Sequence, residues 1–241
     1  MLFPKNVKGT ICEKLKCLNR NVDRTQGICI EKQQQEFVCI NSKTPSVLIL
    51  FRDPNIENIR TVPFVLNIRY NEGGKATSRL LEPYNKYLIP HIPDGEIIYL
   101  DNFIRCQISN KTAQELTDNF MQESHPFAEN CYQISKLLLN IFQLKCLIIS
   151  DAKLVIWLVQ KGFMHCERND IKQYIQDYKW GQSNKGNFKI LLNECFTLDG
   201  YYFPVFYFPY PKNLNAHYKS SYANDINFKN HCDKITKVLL H

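Results

Sequence analysis

Residues 188–210, FKILLNECFTLDGYYFPVFYFPY, hold the clearest strand–turn–strand pattern in the chain. Asp199-Gly200 is a preferred two-residue turn, and an apolar run flanks it on each side. The pattern predicts an antiparallel hairpin over about 188–210. Pro204, Pro209 and Pro211 further predict that the second strand lies at a sheet edge, because proline cannot donate to the hydrogen-bond ladder.

Earlier segments extend this α+β pattern. Residues 96–108 predict a second hairpin, with Asp101-Asn102 as its turn, since Asp and Asn tolerate a positive φ. Between the hairpins, apolar residues repeat at helical spacing and predict an apolar helix over about 127–144. The fold class that follows is α+β, with antiparallel β-hairpins packed around a central apolar helix.

Shorter signals complete the secondary structure. The apolar run Val47–Phe51 predicts a buried strand, and two short strands are expected around the polar residues 31–36. Further helices are predicted at 112–122, 170–180 and 230–240. No linker is long enough to demand a domain break, so we expect residues 1–241 to form one globular domain with a polar, cysteine-bearing N-terminal segment, residues 1–45.

Composition and charge exclude some classes of protein. A hydrophobic fraction of 44% is globular rather than disordered. The net charge is +7, and basic residues exceed acidic ones near both ends of the chain. Such ends could contact nucleic acid, an acidic protein or an anionic surface. The pI of 8.8 is nevertheless below that of a dedicated nucleic-acid-binding domain.

The frequent Lys, Asn, Ile and Phe are typical of AT-rich genomes, such as those of large DNA viruses and some protists, and favour a viral or protist accessory or structural factor.

The start of the chain and its ten cysteines bear on its compartment. Residues 1–8 lack the apolar core of a signal peptide, and the longest apolar stretch, residues 146–159, is interrupted by polar residues. We therefore expect an intracellular protein, cytoplasmic or nuclear, without a membrane span and with reduced thiols.

Zinc is the one cofactor that the cysteines suggest. Cys12, Cys17, Cys29 and Cys39 are the candidate ligands, but they are spaced more widely than the tight pairs of common zinc sites. Cysteine is also a frequent core residue, so the competing interpretation is that these cysteines simply pack in the core. If they do, the sequence predicts no cofactor.

No catalytic motif stands out. The sequence has no phosphate-binding loop, no Gly-x-Ser-x-Gly elbow and no His-Glu-x-x-His helix. The dipeptides His165-Cys166 and His231-Cys232 leave open an enzyme with cysteine or metal chemistry assembled from distant residues, but a non-enzymatic protein is favoured.

The aromatic stretch within 201–210 is the best candidate for binding a partner. Both faces of this predicted strand are apolar, so either both are covered, as in a core strand with a proline-protected edge, or one docks a partner protein or a second copy of the chain. The expected contact residues are Tyr202, Phe206, Tyr207, Phe208 and Tyr210. The alternative is a nucleic-acid-binding accessory factor of the transcription type, in which Tyr218 stacks on bases beside Lys212 and Lys219. A binding or assembly protein is therefore the predicted function.

Overall fold

The run Val47–Phe51 forms a fully buried strand inside an eight-stranded sheet. The computed structural model describes residues 28–32, 36–37, 44–52, 69–70, 76–77, 81–104, 126–180, 188–211, 214, 222 and 225–241. In chain order the strands are β1 (Ile28–Glu31), β2 (Glu36–Phe37), β3 (Val47–Phe51), β4 (Arg69–Tyr70), β5 (Ala76–Thr77), β6 (Ile97–Asn102), β7 (Cys146–Ile149), β8 (Met164–His165), β9 (Phe196–Leu198) and β10 (Pro204–Tyr207).

The sheet has a parallel centre and antiparallel margins. Its order is β2-β1-β6-β3-β7-β10-β9-β8, and β4 and β5 pair with each other in a separate ribbon. Strands β6, β3, β7 and β10 run parallel, whereas β1 and β9 pair antiparallel with the outer members of that group. A parallel strand buried on both faces is read as a continuous apolar run, which is what Val47–Phe51 shows.

Helices cover both faces of this sheet. They are α1 (Glu82–Tyr87), α2 (Pro126–Ile141), α3 (Ala152–Gln160), α4 (Asn169–Gln176) and α5 (Ile226–Leu240), with 3₁₀ turns at Ile89–His91 and Phe188–Leu191. On one face Phe142, just after α2, meets Tyr99, and Trp157 of α3 meets Phe103. On the other face Phe208 meets both Tyr84 of α1 and Phe228 of α5. The sheet is therefore the middle of three layers.

The predicted α+β class is confirmed, and so is the strand assignment of Val47–Phe51. The later hairpin is present, since β9 and β10 pair antiparallel, and Gly200 adopts a φ of 80° in the connection. The early pair of short strands is found as β1 and β2. Two predicted helices appear as α4 and α5 with shifted ends, and the predicted helix at 112–122 lies outside the described residues.

The turn predicted at Asp101-Asn102, within the hairpin at 96–108, is corrected. Asp101 and Asn102 continue β6 and pair in parallel with Leu50 and Phe51 of β3, so the chain does not reverse there. Residues 105–108 lie outside the described part of the chain. The turn preference of Asp and Asn is overridden because the main chain at both positions joins a buried parallel ladder.

The prediction of an edge strand was wrong. β10 lies between β7 and β9, and β8 and β2 form the two ends of the sheet. Pro204 is the first residue of β10, while Pro209 and Pro211 follow its last residue. The prolines therefore bound an interior strand, because proline is tolerated at the first position of a strand.

The apolar helix predicted at 127–144 corresponds to α2. Its sheet-facing residues include Cys131, Leu138 and Leu139, all buried in the shared core. Its central position and the single-domain organisation of residues 1–241 stay predictions. No helix in the described ranges is long and apolar enough to cross a bilayer.

Candidate functional site at the carboxyl ends of the parallel strands

The strand connections place a reversal point at the middle of the parallel group. From β3 the chain moves to one side, to β6, and it then crosses to β7 on the other side of β3 and continues to β10. In open α/β sheets, ligands bind outside the carboxyl ends of the strands where the order reverses. Here that point lies between the carboxyl ends of β3 and β7, with the end of β6 alongside.

Arg52 and Asp151 face each other across this point. Arg52 follows β3 directly and is only 5% exposed. Its Nε lies 3.8 Å from Oδ2 of Asp151, the residue that links β7 to α3. The other carboxylate oxygen, Oδ1, accepts a 3.0 Å hydrogen bond from the Leu154 amide and so caps α3. A carboxylate at a helix N-terminus is also favoured by the helix dipole, so Asp151 has two reasons to hold its position.

Asp101 and Asn102 are the last two residues of β6. Asp101 is fully buried, and Asn102 is 2% exposed. Oδ1 of Asp101 accepts a 2.9 Å hydrogen bond from the Asn102 amide. Because successive side chains of a strand alternate, Asp101 lies on the same sheet face as Arg52, and Asn102 lies on the opposite face. Burying a carboxylate and a carboxamide side by side is costly unless both are hydrogen-bonded, so their presence needs a reason.

A chain of hydroxyl groups lies on the face opposite Arg52. The Tyr84 hydroxyl of α1 donates a 3.1 Å hydrogen bond to the Pro209 carbonyl. It also hydrogen-bonds the Ser150 hydroxyl, which must then be the donor. Burial is the main reason that the pKa of Tyr84 is raised well above its ordinary value, so this hydroxyl keeps its proton.

Aromatic rings enclose the same corner. Phe51 stacks on Tyr84 with ring centroids 5.8 Å apart, and it meets Tyr210 edge-on at 6.0 Å. Tyr84 in turn meets Phe208 edge-on at 5.6 Å. The carboxyl end of the sheet thus combines donors, acceptors and both signs of charge with an aromatic wall.

The predicted aromatic docking residues are divided by the structure. Phe206, Tyr207 and Phe208 are at most 3% exposed, so these three are core residues. Tyr210 is partly buried against the core. Tyr202 is fully exposed in the connection between β9 and β10. Of the five residues, Tyr202 is therefore the one that the fold presents fully to solvent.

Tyr202 stands at the rim of an open groove at the opposite, amino end of the parallel strands. The groove is formed by the connection before β10 and the carboxyl ends of α2 and α5. Its lining residues are Leu139, Asn140, Phe142, Gln143, Leu144, Lys145, Gly200, Tyr201, Tyr202, Phe203, Pro204, Lys237, Val238 and His241. Three large apolar side chains at or beside it are exposed, namely Ile141, Tyr202 and Leu240.

The predicted zinc ligands are not brought together within the described residues. Cys29 is buried in β1, while Cys12, Cys17 and Cys39 lie outside the described part of the chain. No group of three or more His, Cys, Asp or Glu residues that could hold a metal occurs among the residues that the structure describes. Lys212, Tyr218 and Lys219, the predicted nucleic-acid contacts, also lie outside them, so both hypotheses stay predictions.

The histidine of one His-Cys dipeptide is held by the fold. His231 of α5 is fully buried, and its Nδ1 accepts a 2.9 Å hydrogen bond from the Asn193 amide. Nε2 therefore carries the proton and donates to the Tyr207 carbonyl at 2.6 Å. Burial is the main reason that the pKa of His231 falls to about 4. Neutral His231 thus ties α5 to β10 and to the loop before β9.

Sequence reasoning missed Arg52, Asp101, Asn102, Ser150 and Asp151 as a group. A usable signal was present, because Arg52 directly follows the apolar run Val47–Phe51 and Ser150-Asp151 directly follows the apolar residues 146–149. Its meaning depends on the strands being parallel, which brings their carboxyl ends to one edge.

Comparison with known proteins adds no assignment. No protein-family model matches the chain, and no curated protein matches it significantly.

Proposed function

We propose that this domain binds a small polar molecule at the carboxyl ends of β3, β6 and β7. The observation that carries the proposal is that polar residues, buried or nearly so, end β6 and directly follow β3 and β7, at the reversal point of the sheet. Asp151 is explained in part by its capping of α3, but burying Asp101 and Asn102 costs free energy even when they are paired, and the cap does not account for them. The position is also where open α/β sheets hold their ligands.

The charges of the site favour a neutral or cationic ligand. Among the described residues at this edge of the sheet, Arg52 supplies one positive charge, whereas Asp101 and Asp151 supply two carboxylates. No glycine-rich phosphate loop accompanies them in the sequence, so a polyanionic ligand has no evident cradle. Asn102 and Ser150 add neutral donors and acceptors, and the partly buried ring of Tyr210 offers a surface for a flat or apolar part of the ligand.

Matched pairs of ligands test this proposal. Adenosine and glucose are compared with AMP and glucose 6-phosphate by thermal unfolding and calorimetric titration, with spermidine as the cationic probe. At a hundredfold excess over Kd, a ligand stabilises the folded state by about 2.7 kcal/mol. For a domain of this size that corresponds to a rise in Tm of about 5–10 °C. The neutral or cationic member of the panel is expected to give this shift, and its phosphorylated partner a smaller one.

Near-isosteric variants locate the binding. Asp101→Asn and Ser150→Ala are expected to weaken binding about tenfold, because each removes one charge or hydrogen-bonding group worth about 1–3 kcal/mol. Asn140→Asp, an exposed substitution at the far end of the sheet, is the control and leaves Kd unchanged. The proposal fails if none of the neutral or cationic probes binds, or if the variants at the carboxyl ends bind as tightly as the parent chain.

A second candidate function is protein binding through the exposed part of the aromatic segment. Its support is the exposed Tyr202 in the lining of the groove, together with the exposed Ile141 and Leu240, which are next in sequence to other lining residues. Exposed apolar side chains that cluster beside a concave surface are typical of interaction sites, whereas scattered ones are not. A non-enzymatic assembly role thus rests on Tyr202 and its groove rather than on β10. Substituting Tyr202 by alanine must abolish that binding while leaving the fold intact.

A further inference from the structure

The charged residues of the groove beside Tyr202 indicate which class of partner protein it would bind. Resting on the second candidate function, we propose that it binds an acidic protein segment carrying apolar anchor residues. Among the described residues that line the groove, two are lysines and none is aspartate or glutamate. An acidic partner with apolar anchors would match both the charge and the exposed aromatic surface.

The two lysines hold different positions. Nζ of Lys145 donates to Oε1 of Glu96 at 2.7 Å and to the Leu239 carbonyl at 3.2 Å. These contacts hold the Lys145 side chain in place although it is nearly half exposed. Lys237 lies exposed near the carboxyl end of α5. A carboxylate of the partner that reaches Lys237 stays at the rim, where an ion pair guides association more than it adds affinity.

A second copy of the chain fits this surface less well. A two-fold interface joins the same patch on both subunits, so each groove would face the other's Lys145 and Lys237. Glu96 offsets the charge of Lys145, but no aspartate or glutamate of the described lining offsets that of Lys237, and the chain as a whole has a net charge of +7. The charges therefore favour an acidic partner over self-association.

The hydrophobic anchors of the partner have defined contacts. Tyr202 projects fully into solvent, while the neighbouring Tyr201 is fixed by its hydroxyl, which donates to Oδ1 of Asn140 at 2.9 Å. Tyr201 and Phe203 also stack obliquely with centroids 5.3 Å apart. A preformed aromatic rim of this kind needs little reordering on binding, which favours a leucine- or phenylalanine-sized anchor in the groove.

Selection from a random peptide library on the immobilised full chain, followed by fluorescence anisotropy, tests the inference. We expect enriched peptides with net negative charge and at least two apolar anchors. Tyr202→Ala should weaken their binding at least tenfold, and Lys237→Glu at least threefold. Matched controls are Ile226→Ala and Lys229→Glu, which change exposed residues near the other end of α5 and should leave Kd unchanged.

The outcomes distinguish a failure of this inference from a failure of the protein-binding function on which it rests. If enriched peptides depend on Tyr202 but are neutral or basic, the surface binds proteins and the acidic partner is wrong. If no selected peptide depends on Tyr202, the docking surface itself is wrong. A mass that rises with concentration in sedimentation and returns to the monomer value in Tyr202→Ala would identify a second copy as the occupant and overturn the inference.

Discussion

Acid should destabilise this fold through His231. The imidazole is neutral and buried, with Nδ1 accepting from Asn193 and Nε2 donating to Tyr207. Protonation would turn Nδ1 into a donor facing another donor, the Asn193 amide. Lys234 on the same helix donates to the Asn193 carbonyl at 2.9 Å, and its positive charge makes protonation of His231 still less favourable. Phe206 meets the imidazole ring edge-on and Phe208 stacks on it, and neither side chain supplies a counter-charge.

The size of the effect follows from the pKa difference. The pKa of His231 is about 4 in the folded chain against 6.5 as the ordinary value. Between those values the unfolded chain binds the proton that the folded chain refuses, so stability rises with pH. Relative to its value above pH 7, the free energy of unfolding should fall by about 2 kcal/mol at pH 5 and about 3 kcal/mol at pH 4.

Urea titrations at pH 7.5 and pH 5, followed by tryptophan fluorescence and circular dichroism, measure this loss. His231→Asn keeps an acceptor for the Asn193 amide and has no titrating group, so it should be less stable at pH 7.5 but lose about 2 kcal/mol less than the parent on acidification. His165→Asn, at an exposed position in β8, is the control and should retain the parental pH dependence. An unchanged pH dependence in His231→Asn would refute the assignment of a neutral, buried imidazole.

Two further stability measurements test the assignments of β10 and Asp151. Phe208→Ala should lower the free energy of unfolding by about 3–5 kcal/mol because it opens a cavity beside Tyr84 and Phe228, whereas Tyr202→Ala should change it by less than about 0.5 kcal/mol. Equal urea midpoints for the two variants would contradict the burial of Phe208, the residue that directly follows β10. Asp151→Ala should cost about 1–2 kcal/mol by removing the cap of α3 and a partner of Arg52, while Asp151→Asn, which can still cap, should cost less in the same titration. Equal losses in the two variants would show that the ion pair with Arg52, and not the cap, accounts for the effect.

Local sequence signals predicted the elements whose neighbours lie close in the chain. Asp199-Gly200 identified the connection between β9 and β10, because the positive φ of Gly200 is a local requirement. The continuous apolar run Val47–Phe51 identified a strand buried on both faces. Helical spacing likewise located α2 and α5, although their ends differ by a few residues.

The parallel centre and the polar site were not predictable in the same way. β3 pairs with β6 and β7, which lie far from it in the chain, and no local pattern records such pairings. Asp101-Asn102 was read as a turn because the two residues commonly form one, but the parallel ladder with β3 holds them in a strand. The proline pattern around β10 was compatible with an edge and with an interior strand bounded by prolines. Only the order of the strands decides between the two.

Mapping a bound ligand by NMR tests the central claim most directly. A neutral or cationic probe from the adenosine, glucose and spermidine panel is titrated into ¹⁵N-labelled protein, and the amide shifts are followed. The largest shifts are expected at Asn102, Phe103, Ser150 and Asp151, at the carboxyl ends of β6 and β7, with little change around Tyr201–Phe203. Shifts concentrated instead at the Tyr202 groove, or no saturable shift at the carboxyl ends with any of these probes, would contradict the proposed site.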